Sequence, residues 1–198
     1  MSVRFITFIL LATGISGNTF ASNALSAPAL QMDVYIVGHG DCARQIGYGR
    51  LLTSSIYRKI GIQIKWHEGE PGADRKTADG QVIVMRTVEK APVTATPYAL
   101  AAAQNVGLSG VSITIFGDRI RRFLSDHPSL RADAVGYVVA HELGHVIQGV
   151  PRHSESGIMK AVWSNEDYSE MMFRQLQFTA LDVNLIHQHL GSQAAAEE

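Results

Sequence analysis

Apolar positions in the first half of the chain alternate with polar ones or form short β-branched runs, and both patterns predict strands. The cleanest alternation is Ile62-Gln63-Ile64-Lys65-Trp66, which is typical of a half-buried strand. Four strands are predicted, at 33–37, 62–66, 81–87 and 111–116. Between the first two, apolar residues recur at helical spacing, so we predict a helix from Cys42 to about Lys59, capped by Asp41 and ended by Gly61.

Helical periodicity dominates the second half. Asp118 is placed to cap a short helix over 119–125, and Pro128 separates it from a longer one. The longer helix is predicted from about Arg131 or Asp133 to Gln148, with Gly149 as a left-handed stop. Residues 134–140 are apolar on every side of this helix, which predicts that it is buried all round.

One further helix is predicted near the C-terminus. Ser164 is a good N-cap, with Asp167 three residues later. The helix is predicted to run to about Leu190 and the tail over 191–198 to fray. Its apolar stripe consists of Met172, Leu176, Val183, Ile186 and Leu190. The polar, glycine-rich stretch 67–80 predicts an exposed loop, whereas the small, neutral residues of 91–104 predict no definite element.

Composition narrows the class of protein. The chain has 198 residues, 46% apolar and 18% charged, which is ordinary for one globular domain. The net charge of −1 gives no basic surface, so we do not expect nucleic acid as a partner.

The first residues have the pattern of a secretory signal peptide. Arg4 precedes an apolar run over 5–12, and small or polar residues follow through Ala24. A membrane anchor would need about 20 apolar residues, and this run is interrupted from Thr13. We therefore predict a signal peptide over 1–24, a single mature domain over 25–198, export to the periplasm or the cell exterior, and no stable membrane insertion after cleavage.

Cys42 is the only cysteine, so the chain cannot form an intrachain disulfide. It could be a nucleophile, but only His39 and Asp41 stand beside it to activate a thiolate. We predict instead a small, partly buried residue at the start of its helix.

His141-Glu142-Leu143-Gly144-His145 carries the strongest chemical signal in the chain. Residues four apart lie on one face of a helix, about 6 Å apart, so His141 and His145 can bind one metal ion. Glu142 stands where a carboxylate could accept a proton from metal-activated water. The pattern predicts a zinc hydrolase with Glu142 as its general base.

The third ligand is open at this point. A catalytic zinc has three protein ligands and one free position. His153 follows the turn at Gly149 and could be the third ligand, and Glu166 or Glu170 could take its place. His39, His127, His187 and His189 are predicted to lie in loops or on the surface. A second cation site of His67, Glu68, Glu70 and Asp74 is less favoured than a solvated loop.

The run from His141 to Met159 resembles the metzincin clan of zinc endopeptidases, and in particular a group of bacterial secreted proteins related to it. The resemblance lies in the motif, Gly149, His153 and the turn Gly157-Ile158-Met159. The usual clan spacing is His-Glu-x-x-His-x-x-Gly-x-x-His. Here one extra residue precedes the glycine and another precedes the last histidine. Lys160 and Ala161 also stand where some clan members have a tyrosine that supports the oxyanion.

This resemblance implies an α+β, zincin-like fold with a small mixed twisted sheet, a long buried active-site helix and a C-terminal helical subdomain. It implies an upper lobe over about 32–149 and a lower lobe over about 150–190, with strand 111–116 near the cleft. His141, His145 and His153 would bind one catalytic zinc, Glu142 would be the general base, and Met159 would lie beneath the metal.

The expected function is therefore that of a secreted zinc endopeptidase acting on a peptide or protein substrate. A zinc-binding interaction protein without catalysis is the alternative from another functional class.

Overall fold

A computed structural model describes residues 30–72, 82–97, 99–105 and 110–196. The strands are β1 (Leu30–Val37), β2 (Ile62–Glu68), β3 (Val82–Val88), β4 (Ala101–Asn105) and β5 (Val111–Phe116). The helices are α1 (Gly40–Lys59), α2 (Gly117–Asp126), α3 (Arg131–Gln148), α4 (Asn165–Met172) and α5 (Ala180–Ala196). All four predicted strands and the three helices predicted before Gly149 are present.

The five strands form one sheet in the order β2-β1-β3-β5-β4. β1, β2, β3 and β5 run parallel, and β4 pairs antiparallel with β5, where Ala103 lies opposite Ile113. The predicted mixed sheet is therefore confirmed. Parallel neighbours need crossover connections, and α1 supplies one between β1 and β2, so the architecture is better described as mixed α/β than as α+β.

β4 was not predicted from the sequence. Its residues, Ala-Ala-Ala-Gln-Asn, include no β-branched or aromatic side chain, so the usual preference for strands is missing. Its pairing with β5 makes it a strand. Among the described strands β4 pairs with β5 alone, so it forms one edge of the sheet.

Helix α3 lies at the centre of the fold and contacts α1, α5, α4, α2 and β4. Residues 134–140 are all buried, which confirms the prediction of a helix enclosed on every side. α1 and α3 approach so closely that a Cβ built on Gly49 would lie 2.7 Å from the backbone nitrogen of Gly136. Two side chains of α1 add hydrogen bonds to α3: Thr53 Oγ1 to the Gly136 carbonyl at 3.0 Å and Tyr57 Oη to the Ala140 carbonyl at 2.8 Å.

Two predicted helix caps were wrong. α1 begins at Gly40 with His39 at the N-cap, and Asp41 in its first turn forms an ion pair with Arg44 instead. α2 begins at Gly117, and Asp118 Oδ1 accepts hydrogen bonds from the backbone nitrogens of Ala91 and Arg119. Asp118 therefore ties the chain after β3 to α2, a long-range contact that a local capping rule does not consider.

The predicted single C-terminal helix is two helices. α4 starts with the predicted capping box of Ser164 and Asp167, but it ends at Met172, and Arg174 has a φ of 55°. The non-helical segment that follows contacts the turn at residues 157–159, where the Ile158 nitrogen donates a hydrogen bond to the Gln177 carbonyl at 2.9 Å. α5 then continues to Ala196, beyond the predicted end at Leu190.

Cys42 is buried with only 2% of its surface exposed, which is more than the partial burial that was predicted. Burial raises the pKa of its thiol to about 11, and the negative charge of Glu89 adds to this effect. The thiol is therefore protonated near neutral pH and unsuited to nucleophilic attack.

The predicted signal peptide, residues 1–24, lies outside the described residues. Within the part of the chain that the structure describes, no helix combines the length and apolar character needed to cross a membrane. The division into lobes at Gly149 stays a prediction.

Candidate metal centre

The motif lies in the last two turns of α3, which ends at Gln148. Gly149 follows in the left-handed conformation, with φ 66° and ψ 7°, as the sequence predicted. A side chain here would also collide with His189, because a Cβ on Gly149 would lie 2.4 Å from that ring. Glycine at this position thus allows the chain to reverse and bring His153 back towards the motif.

Three histidines converge at this end of α3. One ring nitrogen from each of His141, His145 and His153 lies within 4.8 Å of the others. The Nε2 atoms of His141 and His145 are 3.0 Å apart. His141 is buried, His145 is half-buried and His153 is exposed, so the group opens towards solvent on the side of His153.

The backbone fixes the orientation of His141. Its Nδ1 lies 2.8 Å from the Ile158 carbonyl oxygen, and since a carbonyl only accepts, Nδ1 must carry the proton. In the neutral ring, Nε2 is then an acceptor that faces the other two histidines. Trp163 Nε1 donates to the same carbonyl at 3.3 Å. Outer hydrogen bonds of this kind orient metal-binding histidines in proteins.

The two motif histidines are held in their neutral form. Burial lowers the pKa of His141 to about 4, and burial together with the neighbouring imidazoles lowers the pKa of His145 to about 4. Neutral imidazole is the form that binds a metal ion. Three imidazole nitrogen donors with one open side fit a zinc ion, whose catalytic sites commonly combine three protein ligands with a free position.

Met159 lies directly beside the motif, and its implied place beneath a metal stays a prediction. Its side chain is fully buried and packs against α3 at Gly144, where a Cβ would lie only 2.4 Å from its Sδ. The Met159 carbonyl accepts from the Ser154 nitrogen at 2.8 Å. The turn is therefore linked by backbone to the residue that follows His153.

Glu142 lines a cavity of about 950 Å³ together with the three histidines. Burial raises the pKa of its carboxyl to about 7, which is the range in which a carboxyl group can both accept and release a proton near neutral pH. Four residues of β4 also line this cavity: Ala101, Ala102, Ala103 and Gln104.

The alternative third ligands do not join the histidines. Glu166 and Glu170 are exposed on α4, and Glu166 Oε2 accepts from Ser164 Oγ at 2.8 Å. Among the described residues, the histidines form the one group with metal-binding geometry. Lys160, at the position where some clan members have tyrosine, lines the cavity, but its Nζ is bonded to Asp167 Oδ2 at 2.6 Å.

The less favoured cation site in the loop is not formed by the residues that are described. His67 is the second-last residue of β2, stacks on Tyr35 and pairs with Asp33. Glu68 pairs with Arg50 and Glu70 with Arg86, while Asp74 lies outside the described residues. Glu68 and Glu70 are therefore paired with arginines rather than grouped around a cation.

The other histidines lie mostly as predicted. His39 is exposed, exposed His187 bonds to the Ile60 carbonyl at 2.7 Å, and His127 follows α2 and packs on Tyr168. His189 differs, because it is half-buried and lines the cavity. Its position depends on how α5 packs on Gly149, and the sequence around it contains no signal for that contact.

Asp182 is a second residue that sequence reasoning missed. It is fully buried and bonds to residues on both sides of His153. A signal was present, since Thr179-x-x-Asp182 is a capping-box pattern that would have separated α5 from α4.

No protein-family model matches the sequence, and no curated protein matches it either. Among solved structures, the fold is similar to the crystal structure of archaemetzincin from Methanopyrus kandleri. The two chains are 15% identical, the match covers 82% of this chain and 97% of that chain, and the TM-score is 0.50. At this identity the likeness is one of fold: the protein shares a mixed α/β architecture with that neighbour.

Proposed function

We propose that the protein is a zinc-dependent endopeptidase in which His141, His145 and His153 bind the metal and Glu142 is the general base. The observation that carries the proposal is the convergence of three imidazole nitrogens within 4.8 Å beside Glu142 in one open cavity. The fold neighbour is named archaemetzincin, and this name agrees with the clan that the motif resembles.

The proposed chemistry divides between the metal and the protein. Bound zinc would supply Lewis-acid activation of a water molecule and of the scissile carbonyl. Glu142 would accept a proton from water and pass it to the leaving amine. The Ile158 carbonyl would keep His141 in the required tautomer through its bond to Nδ1.

A peptide is the substrate class that the cavity favours. Four consecutive residues of β4 line the cavity. Successive side chains of a strand point to opposite faces of the sheet. The cavity therefore follows the edge of β4 rather than one face of the sheet. β4 is an edge strand, and an exposed edge can bind an extended peptide through backbone hydrogen bonds. The peptide would thus lie between β4 and the histidines.

The Glu142→Gln variant tests this function. It keeps the size of the side chain and removes its basicity, so we expect full zinc binding with hydrolysis of a peptide library reduced by about 10²–10⁴-fold. Zinc content is measured by metal analysis and cleavage by mass spectrometry of the library. Undiminished turnover would exclude Glu142 as the base.

Two controls separate the alternatives. Glu166→Gln and Glu170→Gln change exposed carboxylates near the site and should leave zinc content and cleavage unchanged, whereas loss of zinc in either variant would favour that residue as the third ligand. If the wild-type protein binds zinc but cleaves no member of the library, a non-catalytic zinc-binding protein becomes the better description.

We also propose that the protein is exported, on the basis of the basic residue and apolar run at its N-terminus. Cell fractionation and N-terminal sequencing of the mature protein test this proposal. A mature chain that starts between about Ser22 and Ala27 in an exported fraction is expected, and an uncleaved chain in the cytoplasm would contradict it.

A further inference from the structure

Asp182 on α5 is a buried carboxylate with 0% of its surface exposed. A buried charge is costly unless it is paired and hydrogen-bonded. Its two carboxylate oxygens accept hydrogen bonds from different groups, so each oxygen has a separate role.

Oδ2 serves the start of α5. It accepts from the Thr179 nitrogen at 3.0 Å and from Thr179 Oγ1 at 2.6 Å, while the Asp182 nitrogen donates to Thr179 Oγ1 at 3.2 Å. These bonds form a local capping arrangement. They need only one of the two carboxylate oxygens.

Oδ1 binds the chain around His153. It accepts from Ser154 Oγ at 2.6 Å, from Arg152 Nη1 at 2.7 Å and from Gln148 Nε2 at 3.4 Å. Arg152 and Ser154 are the two neighbours of His153, and Gln148 is the last residue of α3. A single oxygen therefore connects the end of the motif helix to both flanks of the third histidine.

His153 needs such a restraint more than the other two histidines. His141 and His145 are carried by a buried helix, whereas His153 is exposed and lies outside any helix or strand. Ordering a flexible segment has an entropic cost that other interactions must offset. Hydrogen bonds to a charged group are stronger than neutral ones, so Asp182 can hold this segment before a metal binds.

We propose that Asp182 is a positioning residue for His153, acting through Arg152 and Ser154 to hold the third imidazole next to His141 and His145. This inference rests on the proposed zinc site. It assigns to α5 a part in metal binding, although α5 supplies none of the three histidines.

The Asp182→Asn variant tests the role of Asp182. Asparagine has a single acceptor oxygen. In one orientation its NH₂ group faces the donors Arg152 and Ser154, and in the other it faces the donors of Thr179, so one set of hydrogen bonds is lost in either case. We expect the dissociation constant for zinc, measured by competition with a chromophoric chelator, to rise about 10–100-fold. In a His153→Ala background the same substitution should leave zinc affinity unchanged, because the residue that Asp182 positions is already missing.

Thr53→Val is the matched control. It removes a buried hydrogen bond to α3 at Gly136 but does not alter the contacts of Asp182, so zinc affinity should equal that of the wild type. If Asp182→Asn does not fold, or if His153→Ala binds no measurable zinc, the double variant Arg152→Met/Ser154→Ala decides instead. It removes the two donors and leaves the cap of α5 intact, and it should weaken zinc binding about tenfold or more.

The outcomes are distinct. A wild-type protein that binds no zinc overturns the proposed metal site and this inference with it. A wild-type protein that binds zinc, with unchanged affinity in Asp182→Asn or in the Arg152/Ser154 double variant, overturns only the role of Asp182. Equal weakening by Asp182→Asn with and without His153, or equal weakening by Thr53→Val, would mean a general structural effect and would also overturn it.

Discussion

Gly144 lies between the two histidines of the motif and is in contact with Met159. A Cβ at this position would lie 2.4 Å from Met159 Sδ and 3.3 Å from Phe178 Cε1. Met159 is fully buried, and its backbone is held by the Ser154 nitrogen, so it has little room to move. The absence of a side chain at residue 144 therefore sets how closely the turn approaches the motif helix.

We predict that Gly144→Ala destabilises the protein by about 1–3 kcal/mol, because overpacking forces neighbouring side chains from their preferred positions. Urea denaturation measures the change in the free energy of unfolding. Gly47→Ala is the control, since no atom lies within 4 Å of a Cβ at that position of α1. Alanine is the better helix former, so this control should be neutral or slightly stabilising. Equal loss of stability in both variants would contradict the proposed contact.

At the scale of elements, the crossing of α1 and α3 determines where the motif helix lies. Two glycines face each other there, and a Cβ on Gly136 would lie 2.9 Å from the Gly49 carbonyl oxygen and 3.0 Å from Leu52 Cβ. Helix α1 also contacts β2 and β3 of the sheet, and α3 contacts β4, so this crossing connects the motif helix to the sheet.

We predict that Gly136→Ala forces α1 and α3 apart and lowers the free energy of unfolding by about 1–3 kcal/mol. The favourable helix propensity of alanine, about 1 kcal/mol relative to glycine, opposes this effect and does not remove the clash. Thermal and urea unfolding measure the change. A Gly136→Ala protein as stable as the wild type would show that the two helices can separate without loss.

At the scale of the whole molecule, the proposed metal site joins the end of α3 to the segment that follows Gly149. A ligand that binds only the folded protein stabilises it, by about 2.7 kcal/mol at a concentration 100 times its dissociation constant. Bound zinc should therefore raise the free energy of unfolding of the whole domain, and not only stabilise the segment that carries His153.

We predict that zinc raises the Tm of the metal-free protein and that a chelator reverses the rise, as measured by calorimetry. The shift should be much smaller in His153→Ala and fully retained in His39→Ala, which removes an exposed histidine far from the motif in sequence. A full shift in His153→Ala would mean that His153 is not a ligand.

Several features of the site could be predicted from the sequence because they depend on neighbours along the chain. The spacing of His141 and His145 and the left-handed Gly149 follow from helix geometry and the properties of glycine. The burial of residues 134–140 follows from their apolar side chains on every side of the helix. The capping box of Ser164 and Asp167 is local for the same reason. The identity of the third ligand stayed open, since several residues after the helix had suitable chemistry.

The sequence by itself thus determined the motif helix, its end, four of the five strands and the candidate donors. The tertiary structure decided which donors meet, because His153 lies near His141 and His145 beyond the turn at Gly149, where its two neighbours contact Asp182 of α5. It also made β4 from residues with little strand preference, divided the C-terminal helix, and positioned Asp182 beside the neighbours of His153. Contacts between residues far apart in the chain control these features, and local periodicity contains no information about such contacts.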